Sequence, residues 1–300
     1  MSNLILLIVC LLAGVALRRM RALPENAPLV LNKLLVSFFL PVLTFLHVVD
    51  MQIDSRLWLP IAAPWLVFMG GCVFFGSLAR RMNFDRGTLG ALLLTGGISS
   101  ISFVGFPIFE WLYGRKGLEM AILMSQAGTF VVCVTAGVAI ASWLAAEEPS
   151  VKRMLHDMLR FPPFMAFLLA LLARWAGYEH APLTRDVLSS LSRPFSVIAL
   201  LSVGLQVSFS LPKSGRTALL TGLGYKLLLA PALVYLVFVV ILGQKGWAAD
   251  LCVLGSAIGP MNTAAVLASQ YKLNPQLAAQ LVGLGIPLSF IGLYILYNLL

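Results

Sequence analysis

The sequence predicts an all-α polytopic membrane protein, and two observations carry that prediction. Of the 300 residues, 60% are hydrophobic and only 11% are charged, whereas a soluble domain carries about 25% charged residues. Three stretches (57–79, 87–109 and 120–146) contain no Asp, Glu, Lys or Arg. Each is long enough to cross a hydrocarbon core that needs about 20 apolar residues. Because lipid offers the backbone no hydrogen bonds, these stretches should be helices.

Interruptions of the apolar pattern divide the chain into ten predicted transmembrane helices. The predicted spans are 3–17, 31–49, 57–79, 87–110, 118–145, 161–177, 187–209, 217–243, 247–271 and 275–299. Numbering the loops alternately puts thirteen Lys and Arg residues on one side and seven on the other, with Lys226 left inside a span. The more basic side should be cytoplasmic. Both termini are then expected to face outward.

Similar residues recur between the two halves of the chain. Ala27-Pro28 and Ala181-Pro182 open the second and seventh spans, while Gly97 and Gly255 align the fourth and ninth. These matches pair each span with the one five places later. They predict repeats at 1–146 and 161–300, joined by a cytoplasmic linker at 147–160. Because five spans is an odd number, the second repeat should be inverted, an architecture frequent in secondary transporters.

Helix-breaking residues concentrate in the fourth and ninth spans, which should therefore be broken helices. Proline removes a backbone donor, and glycine makes unwinding easier. Amides freed at a break attract anions, and freed carbonyls attract cations. The alternative is a simple proline kink with small residues for close helix packing. The candidate binding residues are Ser99, Ser100, Ser102, Gly105, Pro107, Pro260, Asn262 and Thr263.

Lys226 lies in the middle of the eighth span and joins the candidate substrate-binding residues. A buried ammonium needs a partner or a function, so it should attract an anionic substrate or pair with a carboxylate. The alternative is that it snorkels to the cytoplasmic surface. Polar residues elsewhere in the spans are expected to hydrogen-bond between helices; these are Gln126, Thr129, Gln206 and Gln280.

Missing motifs exclude several classes of function. The sequence has no Walker loop, no HExxH, no GxSxG and no metal-ligand spacing. We therefore expect neither an enzyme nor an ATP-driven pump, with no resident cofactor or metal. The net charge of +9 is attributed to cytoplasmic loops rather than to nucleic-acid binding.

Several short motifs, taken in their order along the chain, resemble the auxin efflux carrier family in its bacterial branch, which includes malonate transporters. The motifs are Leu40-Pro41, Gly105-Phe106-Pro107, Tyr113-Gly114, Ser202-Val203-Gly204, Lys226 to Pro231, Pro260 and Ser269-Gln270-Tyr271. The resemblance implies two inverted five-helix repeats, crossing broken helices and carriage of small organic anions by an elevator-type mechanism. Ser100 stands where the family often has Asn, and Asn262 remains as an amide in the ninth span.

The sequence thus predicts a secondary active transporter of small carboxylates such as malonate or auxin-like acids. A proton or sodium ion is the candidate coupling ion. A multi-pass location in the bacterial inner membrane is expected, with the lipid bilayer as partner and a homodimer as a candidate assembly. The alternatives are a bile-acid-type sodium symporter and a transporter-like membrane sensor without turnover.

Overall fold

The structure, a computed structural model, describes residues 2–24, 26–52, 56–146, 151–207 and 215–300, with side chains except at 2–7, 153 and 157. The regular secondary structure of these residues is entirely helical, and they contain no strand. In chain order the helices are α1 (Ser2–Arg19), α2 (Ala27–Asp50), α3 (Trp58–Met82), α4 (86–96), α5 (Ile101–Leu144), α6 (Val151–Arg160), α7 (Pro162–Trp175), α8 (Pro182–Gln206), α9 (Arg216–Ile241), α10 (Trp247–Ala257), α11 (Asn262–Gln270) and α12 (Pro275–Leu299).

Six of the described helices are long and apolar enough to cross a membrane, so the polytopic prediction is confirmed. They are α2, α3, α5, α8, α9 and α12. A seventh is reached if α7 and the end of α6, which are bent by 76°, form one span. Helix α5 has 44 residues, about 66 Å at 1.5 Å per residue, and is interrupted at Gly114, where φ is 63° and ψ is −151°. The ten-span arrangement stays a prediction.

Prolines inside three of these helices follow wide, π-helical turns. The turns at Leu35–Phe39, Ile101–Gly105 and Tyr225–Leu229 each end two residues before a proline (Pro41, Pro107 and Pro231). The proline ring would clash with the carbonyl four residues earlier, and it offers that carbonyl no N–H. A locally wider turn accommodates both problems without ending the helix.

The chain separates into two compact units, each drawn from both halves of the sequence. Unit 1 contains residues 1–55, 102–122 and 155–207. Within it α1 packs on α8 and α2 on α7. The first packing brings backbone to backbone, since a Cβ added at Gly14 would lie 2.9 Å from the Cα of Gly204. Helix α8 is also joined to α2, because Ser202 Oγ donates to Asn32 Oδ1 at 2.7 Å.

Unit 2 contains residues 56–101, 123–154 and 208–300. Its polar contacts join elements far apart in sequence: Tyr225 Oη donates to the carbonyl of Val67. Asn274 caps α12 by accepting from Leu277 N and also donates to Thr88 Oγ1 at 3.1 Å. The units do not test the predicted repeat boundaries at 1–146 and 161–300. Of the predicted linker, residues 147–150 lie outside the described residues and 151–160 form α6.

Candidate functional site

The two predicted helix breaks are present in unit 2, and they pair with each other. Helix α4 stops before Ser99 and α10 stops before Pro260, and the two residues face each other in an antiparallel bridge. Ser100 N donates to Gly259 O at 2.9 Å, and Met261 N donates to Ile98 O at 3.0 Å. Each break thereby satisfies backbone groups that the other has freed, as an apolar environment requires.

Pro260 suits its place in this bridge. In an antiparallel pair, the residues between two hydrogen-bonded neighbours face each other without exchanging N–H···O bonds. Pro260 and Ser99 occupy that position, so the missing proline N–H removes no bond. The prediction of a break at this proline, rather than a kink, is confirmed.

Close backbone packing on α12 fixes the second break. A Cβ added at Gly259 would lie 2.6 Å from the Cα of Ile286 and 2.8 Å from the carbonyl carbon of Gly285. No side chain fits at such distances. Residue 259 must therefore be glycine for the paired breaks to sit against α12.

The ammonium of Lys226 reaches the first break. Lys226 lies in the wide turn Tyr225–Leu229 of α9, is 0% exposed, and donates from Nζ to Ser99 Oγ at 2.5 Å. Snorkelling to the surface is therefore wrong for this residue. No ion pair joins Lys226 to a carboxylate in the described part of the chain. Buried ionisable residues in membrane helices mark substrate or ion pathways, so Lys226 is a candidate binding residue.

Unpaired polar atoms lie in the same two breaks. Ser100 Oγ and both amide atoms of Asn262 are buried and have no hydrogen-bond partner among the described residues. An unsatisfied buried donor or acceptor costs about 1–3 kcal/mol, so these groups are expected to bind a ligand or water. Thr263 follows in the first turn of α11, where Met261 provides no side-chain cap.

Two of the polar residues that were expected to form hydrogen bonds between helices instead bond within their own helix. Thr129 Oγ1 bonds to Met124 O and Gln206 Nε2 to Ser202 O, each within its own helix. Gln126 is 1% exposed, and neither amide atom has a partner in the described structure. Gln126 is therefore a polar group of unit 2 that the sequence analysis did not place in the site.

The remaining predicted site residues belong to the other unit. Ser102, Gly105 and Pro107 follow the first break in α5 and are part of unit 1. Unit 2 contains the other six predicted residues. They are Ser99, Ser100, Lys226, Pro260, Asn262 and Thr263.

Sequence comparison identifies the family of this chain. A profile described as membrane transport protein matches residues 1–297. The chain belongs to this family, the auxin efflux carrier family. The predicted family resemblance is confirmed over the whole chain.

Two archaeal relatives extend the comparison. An uncharacterized transporter of Methanothermobacter thermautotrophicus is 25% identical over 289 residues, covering 95% of this chain and 93% of the relative. An uncharacterized transporter of Methanocaldococcus jannaschii is 22% identical over 290 residues, covering 93% and 92%. The family and both relatives are named as transporters, which agrees with the expectation that this member of the auxin efflux carrier family is not an enzyme.

A second polar region lies within unit 1, at the C-terminal end of α2. The carboxylate of Asp50 accepts from Arg115 at 2.8 Å and from Arg185 at 2.9 Å, and Arg115 also pairs with Glu119 at 2.8 Å. Arg174 Nη1 donates to Val49 O at 2.9 Å. These bonds tie three helices (α5, α7 and α8) to the C-terminal end of α2. A cavity of about 250 Å³ opens beside them.

Candidate metal ligands do not cluster in the described residues. No group of three or more His, Cys, Asp or Glu side chains there could hold a metal ion. The four cysteines are free thiols. The candidate site of this family member therefore consists of the paired breaks and Lys226.

Proposed function

We propose that the chain is a secondary active transporter of small organic anions, with carboxylates such as malonate or auxin-like acids as substrates. One observation supports this most strongly: a fully buried ammonium, Lys226, lies on Ser99 at the paired breaks without a carboxylate partner among the described residues. A substrate carboxylate would supply the missing negative charge.

The first turn of α11 would complete the anion site. Backbone N–H groups at the start of a helix lack intrahelical partners and favour negative charge. In α11 the first backbone hydrogen bond of the helix is donated by Ala265 N to Met261 O. The backbone amides of residues 262–264 are therefore available to a ligand. Asn262 Nδ2 and Ser100 Oγ supply further donors. Ser102, Gly105 and Pro107, which belong to unit 1, stay predicted substrate-binding residues.

The proposed architecture has ten spans in two inverted five-helix repeats with crossing breaks. The composition of the two units supports it: α1, α2, α7 and α8 go to unit 1, while α3, α4 and α9 to α12 go to unit 2. In each half of the chain, the first two predicted spans thus belong to unit 1 and the last three to unit 2. The exception is the segment 102–122, which belongs to unit 1. We propose that unit 2, with the site, acts as the moving part of an elevator and unit 1 as its scaffold.

The coupling and cellular setting follow from the same proposal. A proton or sodium gradient would drive uptake, and the inner membrane of a bacterium would be the location, with both termini outward. A homodimer would give unit 1 a fixed support in the bilayer.

Uptake of radiolabelled malonate into proteoliposomes tests the function. Uptake driven by an imposed proton or sodium gradient would support the proposal and name the coupling ion. The Pro107→Ala, Pro260→Ala double variant should be inactive although correctly inserted. Uptake of malonate by that variant at the wild-type rate would refute the role of the breaks.

The same preparation separates the alternatives. Sodium-dependent uptake of a bile acid, without malonate uptake, would favour the bile-acid-type symporter. Saturable binding of an anion with no uptake under either gradient would favour a sensor without turnover.

A further inference from the structure

Helix α6 separates its apolar and polar residues completely. At about 100° per residue, Val151, Met154, Leu155, Met158 and Leu159 fall within an arc of about 140°. The five polar residues occupy an opposite arc of similar width. They are Lys152, Arg153, His156, Asp157 and Arg160. Such a division is typical of helices that lie at an interface between water and an apolar medium.

The described part of the protein covers only part of the apolar arc. Met154 and Met158 are half-buried. Val151, Leu155 and Leu159 are 68%, 54% and 57% exposed. These three residues are spaced four apart, so they form a continuous apolar stripe along the helix. Single exposed apolar residues are common, but a full-length stripe indicates a partner.

The bend between α6 and α7 gives α6 its direction. The two helices meet at Phe161 at an angle of 76°. Helix α7 is one of the apolar helices, and Pro162–Trp175 is charge-free apart from Arg174 in its last turn. If α7 crosses the bilayer, a helix at 76° to it lies close to the membrane plane.

The net positive charge of α6 favours binding to a negatively charged surface. Three basic residues stand against one acidic residue, and they lie on the side expected to be cytoplasmic by the distribution of Lys and Arg. The cytoplasmic leaflet carries anionic lipid headgroups, which attract basic segments next to a span.

We propose that α6 is an interfacial helix that binds the anionic lipid surface of the cytoplasmic leaflet. Its stripe of Val151, Leu155 and Leu159 enters the boundary between headgroups and acyl chains, at a depth of about 5–10 Å. Lys152 and Arg160 contact lipid phosphates. This helix thereby anchors the connection between the two halves to the membrane, and the inference does not depend on what the protein transports.

Site-specific fluorescence tests the proposal in the full chain. In a variant with the four native cysteines replaced by alanine, Leu155→Cys is labelled with the environment-sensitive dye NBD. His156→Cys serves as the matched control, because it is the next residue along the chain and lies on the polar arc, about 100° around the helix from Leu155. The proteins are reconstituted into phosphatidylcholine vesicles with or without 30% phosphatidylglycerol, and shallow spin-labelled lipids are added as quenchers.

The expected result is at least twofold stronger quenching at position 155 than at position 156, with blue-shifted emission at position 155. Quenching at 155 should increase when phosphatidylglycerol is present, and Lys152→Gln together with Arg160→Gln should remove that increase. Equal quenching at both positions would overturn the proposal. So would blue-shifted emission without lipid quenching, which would indicate a protein partner, and so would indifference to the anionic lipid.

Folding is checked independently of transport. Each labelled protein must elute as a single species in size-exclusion chromatography. If Leu155→Cys fails this criterion, Leu159→Cys on the same stripe takes its place, with the same expected quenching.

Discussion

Replacing Lys226 by methionine would separate a role in binding from a role in folding. Methionine has a similar length and volume but no charge, so the packing of α9 should be retained. The side chain is fully buried, and its only hydrogen bond to the described residues goes to Ser99 Oγ. If the ammonium binds a substrate carboxylate, the variant loses a charge-assisted hydrogen bond in a dry site.

The expected loss of affinity follows from the strength of that bond. Hydrogen bonds to charged groups contribute about 1.5–3 kcal/mol, and each 1.4 kcal/mol changes a dissociation constant tenfold. Malonate binding should therefore weaken by about 10- to 100-fold. Stability should change little or rise, because replacing a buried charge by an apolar group of similar volume is often neutral or stabilising.

Two measurements on the detergent-purified protein check this prediction. Scintillation proximity binding of radiolabelled malonate gives the dissociation constant, and scanning fluorimetry gives the unfolding temperature. Lys245→Met is the matched control, since Lys245 is exposed in a loop and should leave both values unchanged. A Lys226→Met protein that binds malonate within twofold of wild type would refute the role in binding. A fall in unfolding temperature with unchanged affinity would indicate a structural lysine instead.

Three further predictions concern both units. Gly204→Ala should destabilise the protein by about 1–3 kcal/mol through overpacking against the backbone of α1, whereas Gly76→Ala, where an added Cβ meets nothing within 4 Å, should leave the unfolding temperature unchanged. Asn262→Ala should weaken anion binding by about 0.5–1.5 kcal/mol without lowering that temperature, because its amide has no partner in the described structure; a destabilised variant would contradict this. Asp50→Asn should lower the unfolding temperature more than Arg185→Gln, because the Asp50 side chain is 10% exposed and Arg185 is 49% exposed; half-exposed pairs contribute about 0–1 kcal/mol. Equal effects of the last two variants would show that burial does not set the strength of this pair.

The positions of the breaks could be predicted from sequence because their cause is local. Glycine and proline act on their own turn of helix, so Gly97 and Pro260 mark the ends of α4 and α10 to within a few residues. The same reasoning placed α3, α9 and α12 close to their observed limits. Charge-free length identifies such helices without any knowledge of packing.

What could not be predicted depends on contacts between distant segments. The bond between Lys226 and Ser99 joins residues 127 positions apart, and helical periodicity alone cannot distinguish it from a snorkelling lysine. Gln126 was expected to form a hydrogen bond between helices, but its amide has no partner in the described structure. The sequence alone cannot distinguish these two situations. Polar residues in apolar spans are therefore identifiable as important, but their roles require coordinates.

The bridge between the two breaks has a consequence for biosynthesis. The amide of Ser100 and the carbonyl of Ile98 bond to the backbone of residues 259 and 261, which the ribosome produces about 160 residues later. At about 5–20 residues per second, the first break waits roughly 8–32 s before the second one exists. During that time its amide and carbonyl groups need water or a membrane insertase as a temporary partner, so the nascent first half is expected to remain close to the translocation machinery until the ninth span emerges.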